Sequence, residues 1–369
     1  MLKYSLRYAP LLLLALLLIP LRLAGWGQRQ PAPVYRALSP FRAGSALYGI
    51  TMLSRNDGWA VGGFFTKACS TQNPQDKTSC PITPYSGLIL HYTGKTWEPA
   101  KVARNITLPL LAVSLDSSGD GWAVGYNAMF VHYNGDGWSI VPGPANFNKN
   151  LFGVSMLSPS DGWAVGYGGS ILHYDGKQWS QIASPTPFDL RSIAMSSAQE
   201  GWAVGDNGTI LHYHTGVWSV VNSSTHNALN NVFMLSSHEG WAVGKQDTVL
   251  HYRDETGVWE QVACMPNACQ GKDLYAVAMS AITAGWAVGD EHFLAYRSEV
   301  WSAPDSVRFF SANTPSSKFD FSQVNLYGIA LPSANEGWAV GRTITGNEDN
   351  VFVILHYQDN TWSRFPIGN

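Results

Sequence analysis

The sequence has few charged residues, few cysteines and no apolar run long enough to span a membrane. Charged residues make up 13% of its 369 residues, against about 25% in an average soluble protein. Intrinsic disorder is nevertheless excluded, because disordered chains combine few apolar residues with a high net charge, and this chain is 45% apolar with a formal net charge of −3. The excess of basic residues typical of a nucleic-acid binder is also missing, so no nucleic-acid partner is expected.

The longest apolar run, residues 9–21, follows Lys3 and Arg7. A positively charged start before a short apolar core is typical of a signal peptide, whereas a membrane-spanning helix needs about 20 apolar residues. Residues 1–26 are therefore interpreted either as a signal peptide that is cleaved or as an amino-terminal membrane anchor. Both interpretations predict an exported protein, secreted or membrane-anchored on the extracellular or periplasmic side. Any membrane contact would be made by this segment.

The cysteines are few enough to be considered together: Cys69, Cys80, Cys264 and Cys269. An exported chain meets oxidising conditions, in which cysteines tend to pair, although a sequence cannot fix the connectivity. The local pairs Cys69–Cys80 and Cys264–Cys269 are the simplest of three possibilities. A zinc site made of all four cysteines is the alternative, but the short ligand spacings of such sites are absent. No metal and no cofactor are expected.

What the sequence does contain is a repeat. The string Gly-Trp-Ala-Val-Gly occurs seven times, with its tryptophan at Trp59, Trp122, Trp163, Trp202, Trp241, Trp286 and Trp338. A second tryptophan follows each copy, at Trp97, Trp138, Trp179, Trp218, Trp259, Trp301 and Trp362. Leu-x-x-Val or Leu-x-x-Ile precedes each copy, and an apolar run ending in His-Tyr lies between the two tryptophans in six of them.

Each repeat is predicted to form four short strands, A to D. In the third repeat they are expected at residues 151–157, 162–166, 170–174 and 178–183. Glycine pairs such as Gly168-Gly169 suit two-residue hairpin loops. Four-stranded units of about 40 residues are typical of a β-propeller. Residues 45–369 are therefore predicted to be an all-β, seven-bladed β-propeller with four antiparallel strands per blade and with the A strands around a central channel. Residues 27–44 are interpreted as a linker, in which 34–39 would form a closing strand.

The repeated aromatic residues are interpreted as scaffold. In an antiparallel B–C hairpin the first tryptophan of a repeat lies near its His-Tyr pair, and burial of each such ring removes some 150–250 Å² from water. A feature present in every blade is best explained as the packing that joins one blade to the next. The histidines of the His-Tyr pairs are therefore expected to be structural. Six repeats have an acid before Gly-Trp, and each is expected to cap its turn: Asp57, Asp120, Asp161, Glu200, Glu239 and Glu336.

The order Gly-Trp-Ala-Val-Gly, Gly-x-Ile-Leu and Asp-Gly-x-x-Trp resembles the repeat of the photosystem II stability and assembly factor propellers. These belong to the wider group of Asp-box (BNR) and sialidase-like propellers, and Tyr174 to Trp179 resembles the end of an Asp-box. His173 stands where an Asp-box has Ser or Thr, and the acidic chain lacks that family's basic character. The resemblance, over residues 45–369, implies an exported, non-enzymatic propeller that holds a membrane protein during assembly.

The connections between strands vary in length on one face only. On that face the B–C loop of blade 1 (64–86), the B–C loop of blade 7 (342–350) and the connections from blade 5 to 6 and from blade 6 to 7 (303–325) are long. Because blades 5, 6, 7 and 1 are consecutive in a closed ring, these insertions gather in one sector, and insertions on one face of a repeat protein often mark its binding surface. The predicted contacts for a protein or glycan are Phe64, Phe65, Tyr85, Phe309, Phe310, Phe319 and Arg342. The alternative is that these side chains only pack the insertions onto the propeller.

The function predicted from the sequence is that of an exported, monomeric protein-binding or assembly scaffold without enzymatic activity. The alternatives are a glycan-binding propeller and a sialidase-like glycoside hydrolase. A sialidase-type site needs three convergent arginines and an acid near the channel mouth, and the arginines are scattered along the chain. The nucleophile elbow, the zinc-protease motif and the nucleotide-binding loops are all absent.

Overall fold

The computed structural model describes residues 44–67, 82–265, 268–304, 310–311, 314–318, 323–344 and 351–366. All of these belong to one compact unit, Ala37–Asn369. Several predictions fall outside the described residues: the 1–26 segment, the 34–39 strand, Cys69, Cys80, Phe309 and Phe319. Among the described residues, no helix has the length and apolar character needed to cross a membrane.

Each repeat folds into one antiparallel sheet whose strands follow one another from the channel outwards, so the seven-bladed β-propeller is confirmed. Blades 1 to 3 consist of β1 (Ser45–Ser54), β2 (Asp57–Lys67), β3 (Ile82–Tyr92) and β4 (Trp97–Pro99); β5 (Leu110–Leu115), β6 (Gly121–Gly125), β7 (Phe130–Tyr133) and β8 (Trp138–Val141); and β9 (Leu151–Ser158), β10 (Asp161–Gly166), β11 (Ser170–Tyr174) and β12 (Trp179–Ile182). Blades 4 and 5 consist of β13 (Leu190–Ser197), β14 (Glu200–Gly205), β15 (Ile210–His214) and β16 (Val217–Val221); and β17 (Leu229–Ser236), β18 (Glu239–Gly244), β19 (Val249–Arg253) and β20 (Val258–Gln261). Blade 6 consists of β21 (Leu274–Ala281), β22 (Ala284–Gly289), β23 (His292–Arg297) and β24 (Val300–Ser302). A short hairpin follows, made of β25 (Phe310–Ser311) and β26 (Thr314–Lys318). Blade 7 consists of β27 (Val324–Ser333), β28 (Glu336–Thr343), β29 (Phe352–Gln358) and β30 (Thr361–Arg364).

The strand boundaries predicted for the third repeat agree with β9 to β12 to within one residue. The two-residue B–C loop predicted at Gly168-Gly169 is wrong. Three residues, Tyr167–Gly169, form a single turn of 3-10 helix there, and Gly168 adopts the left-handed conformation with φ 62°. Glycine tolerates this conformation because it has no Cβ. The A–B and C–D turns lie on one face, here called the turn face, and the B–C and D–A connections lie on the other, here called the loop face.

The last glycine of the Gly-Trp-Ala-Val-Gly string is required by a close backbone approach. In every A strand one extra residue follows the conserved leucine, so that strands A and B lose their one-to-one pairing, as between Leu190 and Ser192 in blade 4. This β-bulge brings the Asp189 carbonyl oxygen to 1.9 Å from where a Cβ on Gly205 would stand. Any side chain at this position would have to displace backbone.

The tryptophan pairs join neighbouring blades, as predicted. The Trp163 ring contacts His173 of its own blade at 4.3 Å and packs against Tyr213 and Trp218 of blade 4 at 4.7 and 5.6 Å between ring centroids. The contact of the first tryptophan with the tyrosine of the next blade recurs at the other six interfaces, although Ala295 replaces the histidine in blade 6. A separate buried cluster fills each of the seven interfaces. The apolar core is therefore distributed around the ring.

The ring closes between blades 7 and 1 by the same packing. Trp338 lies 4.6 Å from Tyr92 and 5.5 Å from Trp97, ring centroid to ring centroid. The Arg55 guanidinium also donates hydrogen bonds of 2.7 and 3.0 Å to one carboxylate oxygen of Glu336. All four strands of blade 7 come from one stretch of chain, and no strand is exchanged with blade 1 among the described residues.

The long connections are partly regular, contrary to the prediction of loops. In blade 1 the hairpin β2–β3 continues beyond Phe64 to the pair Lys67 and Ile82. In the connection from blade 6 to 7, strand β25 pairs in parallel with β30 and β26 pairs antiparallel with β25, which extends the sheet of blade 7 to six strands. The outer edge of blade 7 is thus covered by the insertion at Phe310.

Candidate functional site at the channel mouth

The seven A strands surround a cavity of about 350 Å³. The conserved leucine at the start of each A strand is buried between blades. The residue after it, which the bulge leaves unpaired with strand B, lines the cavity near the loop face instead. These seven residues are Tyr48, Leu111, Phe152, Arg191, Asn230, Tyr275 and Tyr327. Five residue types occupy these seven positions, whereas the position before each of them always holds leucine.

Three tyrosines from consecutive blades 6, 7 and 1 form one side of this mouth. The Tyr327 ring lies 5.1 Å from that of Tyr48 and 5.3 Å from that of Tyr275, centroid to centroid. All three side chains are half-buried. Arg342 is the penultimate residue of strand β28, and its guanidinium stands 6.0 Å from the centre of the Tyr327 ring. These four residues are here called the tyrosine cluster.

The electrostatics of the tyrosine cluster follow from burial. Burial raises the pKa of Tyr48 and of Tyr327 above the ordinary value for tyrosine, against the opposing effect of the Arg342 charge. Burial and then the Asp290 carboxylate raise the pKa of Tyr275. Asp290 itself has a raised pKa, mainly because it is partly buried. The tyrosine hydroxyls therefore stay protonated at neutral pH, and the mouth carries three hydroxyls, one guanidinium and the carboxyl group of Asp290, which is hydrogen-bonded to Tyr275.

The predicted contact residues have different positions. Arg342 lies in the tyrosine cluster. Phe64 is only 4% exposed and packs in the core between blades 7 and 1. The backbones of Phe65 and Tyr85 lie in the extended hairpin of blade 1 and that of Phe310 lies in β25, all on the loop face. Phe309 and Phe319 lie outside the described residues.

The tyrosines themselves were not predicted as contacts. The only sequence signal for them is the x position after the leucine in Leu-x-x-Val, which holds tyrosine in three of seven repeats, all in adjacent blades. Of the arginines, Arg191 lines the cavity and its Nε donates to the Asp206 carboxylate. Arg191 on blade 4 and Arg342 at the rim on blade 7 are therefore two arginines near the mouth. A third arginine, which a sialidase-type site would need, is not found among the described lining residues.

The histidines of the His-Tyr pairs lie towards the turn face, away from the mouth. Each contacts the acid that precedes Gly-Trp in its own blade; the pairs are His91–Asp57, His132–Asp120, His173–Asp161, His212–Glu200, His251–Glu239 and His356–Glu336. The prediction that these acids cap their turns is wrong. In blade 3, for example, Ser158 Oγ accepts the backbone N–H of Ser160 at 3.2 Å instead.

Two groups could bear on metal binding. Cys264 and Cys269 form a disulfide with their Cα atoms 5.9 Å apart, which confirms that predicted pair and contradicts a zinc site made of all four cysteines. One group of potential metal ligands occurs among the described residues, Glu200, His212 and His214 in blade 4.

Comparison with known proteins agrees with this architecture. A sequence model of the family described as photosynthesis system II assembly factor YCF48 matches residues 174–279. No curated protein matches the chain. A solved structure of YCF48 bound to a D1 peptide is 17% identical, with a TM-score of 0.60, over 86% of this chain and 94% of that chain.

Two further structures are similar to the same extent. YCF48 from Cyanidioschyzon merolae is 16% identical, with a TM-score of 0.57, over 86% of this chain and 96% of that chain. The WD40 β-propeller domain of Doa1 is 10% identical, with a TM-score of 0.58, over 85% and 94% of the two chains. Similarity at these identities shows the fold alone. The chain is thus a seven-bladed β-propeller with repeats like those of the photosystem II assembly factors, which confirms the resemblance found in the sequence.

Proposed function

We propose that this protein is a non-enzymatic scaffold that binds a segment of another protein at the mouth of its channel, on the loop face. The observation that carries this proposal is the tyrosine cluster, which stands in the same sector as the four oversized connections. Loops carry binding functions more often than the elements that they connect. The cluster would anchor the partner and the surrounding connections would extend the contact.

The chemistry of the cluster suits a peptide. Tyrosine and arginine are enriched among the residues that dominate protein interfaces, and a tyrosine ring provides a large contact area together with a polar hydroxyl. The cavity of about 350 Å³ is near the lower end of the 300–1,000 Å³ typical of ligand pockets. It has room for one or two side chains of a partner.

Two further observations support binding over catalysis. YCF48, which has the same fold, is the protein bound to a D1 peptide in the solved structure, so a propeller of this kind can hold a protein segment. A sialidase-like hydrolase would need three arginines around one acid. The described lining residues include one arginine, Arg191, and it is paired with Asp206. These observations favour the scaffold over the glycoside hydrolase.

Export is part of the proposal. The pattern of residues 1–26 supports it, and so does the Cys264–Cys269 disulfide, because disulfides persist mainly in oxidising compartments. Expression of the full chain with a carboxy-terminal reporter that is active only outside the cytoplasm tests this point. Reporter activity that survives deletion of residues 1–26 would contradict it.

Peptide binding can be measured by fluorescence anisotropy with the D1 peptide and with peptides selected from a random displayed library on the wild-type protein. Tyr327→Ala should weaken binding by about 30-fold, the effect of losing an interface anchor worth about 2 kcal/mol. Tyr167→Ala is the matched control, because Tyr167 is a 55% exposed tyrosine on the loop face of blade 3, outside the sector. Circular dichroism establishes that both variants fold.

Equal loss of binding in the two variants, or no loss in either, would contradict the assignment of the site. Failure of the wild-type protein to select any peptide, together with specific binding on a glycan array, would replace the protein partner by a glycan.

A further inference from the structure

Blade 4 differs from every other blade at the end of its third strand. The residue that follows His-Tyr is a histidine only there, His214. In the other five His-Tyr copies this position holds Thr93, Asn134, Asp175, Arg253 or Gln358. Six blades therefore have a histidine paired with an acid, and only blade 4 has a second imidazole, that of His214, directly after its His-Tyr pair.

The strand geometry brings the three side chains together. His212 and His214 are two residues apart on β15, so both point to the same side of the sheet. Glu200 on β14 is the register partner of His214, a position at which side chains of adjacent strands are in contact. His214 Nδ1 lies 2.8 Å from Glu200 Oε2, and His212 Nε2 contacts Glu200 Oε1. One donor atom from each residue lies within 4.8 Å of the others.

We infer that Glu200, His212 and His214 form a binding site for a divalent transition-metal ion, with zinc as the first candidate. Two imidazoles and one carboxylate are a ligand set that zinc accepts, with bonds of about 2.0–2.2 Å and a fourth position left for water. Tetrahedral bonds of that length put ligand atoms about 3.4 Å apart, so an ion would lengthen the two carboxylate–imidazole contacts and draw together any ligand atoms that are now farther apart than that, up to 4.8 Å. The imidazoles favour zinc, copper or nickel over magnesium or calcium.

The surrounding residues fix the positions of His212 and Glu200, whereas the His214 side chain is free to rotate. The His212 ring stacks on Trp202 at 4.1 Å with an angle of 11° between the planes, and the Glu200 side chain is largely buried. The His214 side chain is 64% exposed, so it can rotate towards an ion at little cost. The site lies at the turn face, so it is separate from the channel mouth and independent of the proposed function.

Blade 5 shows what the same position looks like without the third ligand. Glu239 and His251 form the equivalent pair, and His251 stacks on Trp241 at 4.4 Å. Arg253 takes the place of His214 as the register partner of Glu239. A guanidinium cannot ligate a metal. His214→Arg therefore converts blade 4 to the pattern of blade 5 and is a substitution that this fold already accommodates.

The test is titration of the chelator-treated full-length protein with ZnCl₂ by isothermal calorimetry, and with Co²⁺ by visible absorption. Wild-type protein should bind one equivalent of Zn²⁺, and Co²⁺ should give absorption bands of a nitrogen and oxygen site. His214→Arg should lower the Zn²⁺ affinity at least 10-fold and abolish the Co²⁺ bands. His238→Arg is the control: it removes a histidine that pairs with Asp254 at the surface of blade 5, and it should change neither result.

The inference is overturned if wild-type protein binds no Zn²⁺ up to millimolar concentration. It is also overturned if His214→Arg, shown by circular dichroism to be folded, binds Zn²⁺ as tightly as wild type, or if His238→Arg is the variant that loses binding.

Discussion

Closure of the ring by side-chain packing makes a quantitative prediction about Trp338. This side chain is fully buried between blades 7 and 1, which share no strand among the residues that the structure describes. A tryptophan removes up to about 250 Å² from water, worth about 6 kcal/mol at 25 cal/mol per Å² as an upper limit. Substitutions of buried tryptophan by alanine cost about 3–5 kcal/mol. We expect Trp338→Ala to lower the free energy of unfolding by that amount.

The comparison that tests closure is Trp202→Ala, between blades 4 and 5. Trp202 packs on Tyr252 and Trp259 with almost the same distances, 4.7 and 5.4 Å, as Trp338 shows towards blade 1. The two variants should therefore lose the same stability to within about 1 kcal/mol, because each removes the same side chain from a similar buried site. At about 2 °C per kcal/mol for a domain of this size, each melting temperature should fall by about 6–10 °C.

Unfolding is followed by far-ultraviolet circular dichroism in guanidinium chloride and on heating, since tryptophan fluorescence changes with the substitution itself. A loss below about 1 kcal/mol for Trp338→Ala, beside a loss of 3–5 kcal/mol for Trp202→Ala, would refute closure by packing. Blades 7 and 1 would then be joined in another way.

Three other substitutions follow from single contacts. Gly205→Ala should cost about 3 kcal/mol in unfolding experiments, because its Cβ would stand 1.9 Å from the Asp189 carbonyl oxygen. Burial lowers the pKa of His251 despite the opposing Glu239 carboxylate. The unfolded state therefore binds more protons than the folded state, so the free energy of unfolding is highest above pH ~6.5 and declines as the pH falls below it. His251→Gln should reduce that slope by up to about 1.4 kcal/mol per pH unit. Cys264→Ser should cost about 2 kcal/mol, the value expected for so short a disulfide loop, and should remove any effect of reductant on the connection from blade 5 to 6.

Each of these predictions has its own control. Gly137→Ala, whose backbone is not in the left-handed region and whose added Cβ would stand 3.3 Å from its nearest neighbour, should cost clearly less than Gly205→Ala, and an equal cost would contradict the close-approach argument. Burial also lowers the pKa of His356, so His356→Gln should reduce the pH slope in the same direction as His251→Gln, and an unchanged slope in both variants would contradict the argument. Reductant that lowers the melting temperature of Cys264→Ser as much as that of wild type would show that the sensitivity lies elsewhere.

The blades could be predicted from the sequence because their determinants repeat. Trp163, His173 and Trp179 each occupy one fixed position in the unit, and the identity of these residues follows directly from the packing between blades. The boundaries of β9 to β12 agreed with the prediction for the same reason. The role of Asp161 was predicted wrongly. Asp161 lies next to a turn in the sequence, and the sequence alone does not show that its side chain instead pairs with His173 on the neighbouring strand.

The candidate site could not be predicted in the same way. In a regular A strand the side chains alternate between the two faces, and this pattern does not single out Tyr327. The β-bulge that directs Tyr327 into the channel is visible only in the structure, as a shift in strand pairing between Leu326 and Gly328. The parallel pairing of β25 with β30 also leaves no local pattern. Both features depend on contacts between residues far apart in the chain.

The unpaired residue in each A strand separates what this protein could recognise from what keeps it folded. Seven side chains face inwards around one opening, and none of them takes part in the tryptophan packing that stabilises the ring. Evolution could therefore exchange them one at a time, and so alter the choice of ligand, with little penalty to folding. A library randomised at these seven positions would use the same backbone as an adaptable receptor.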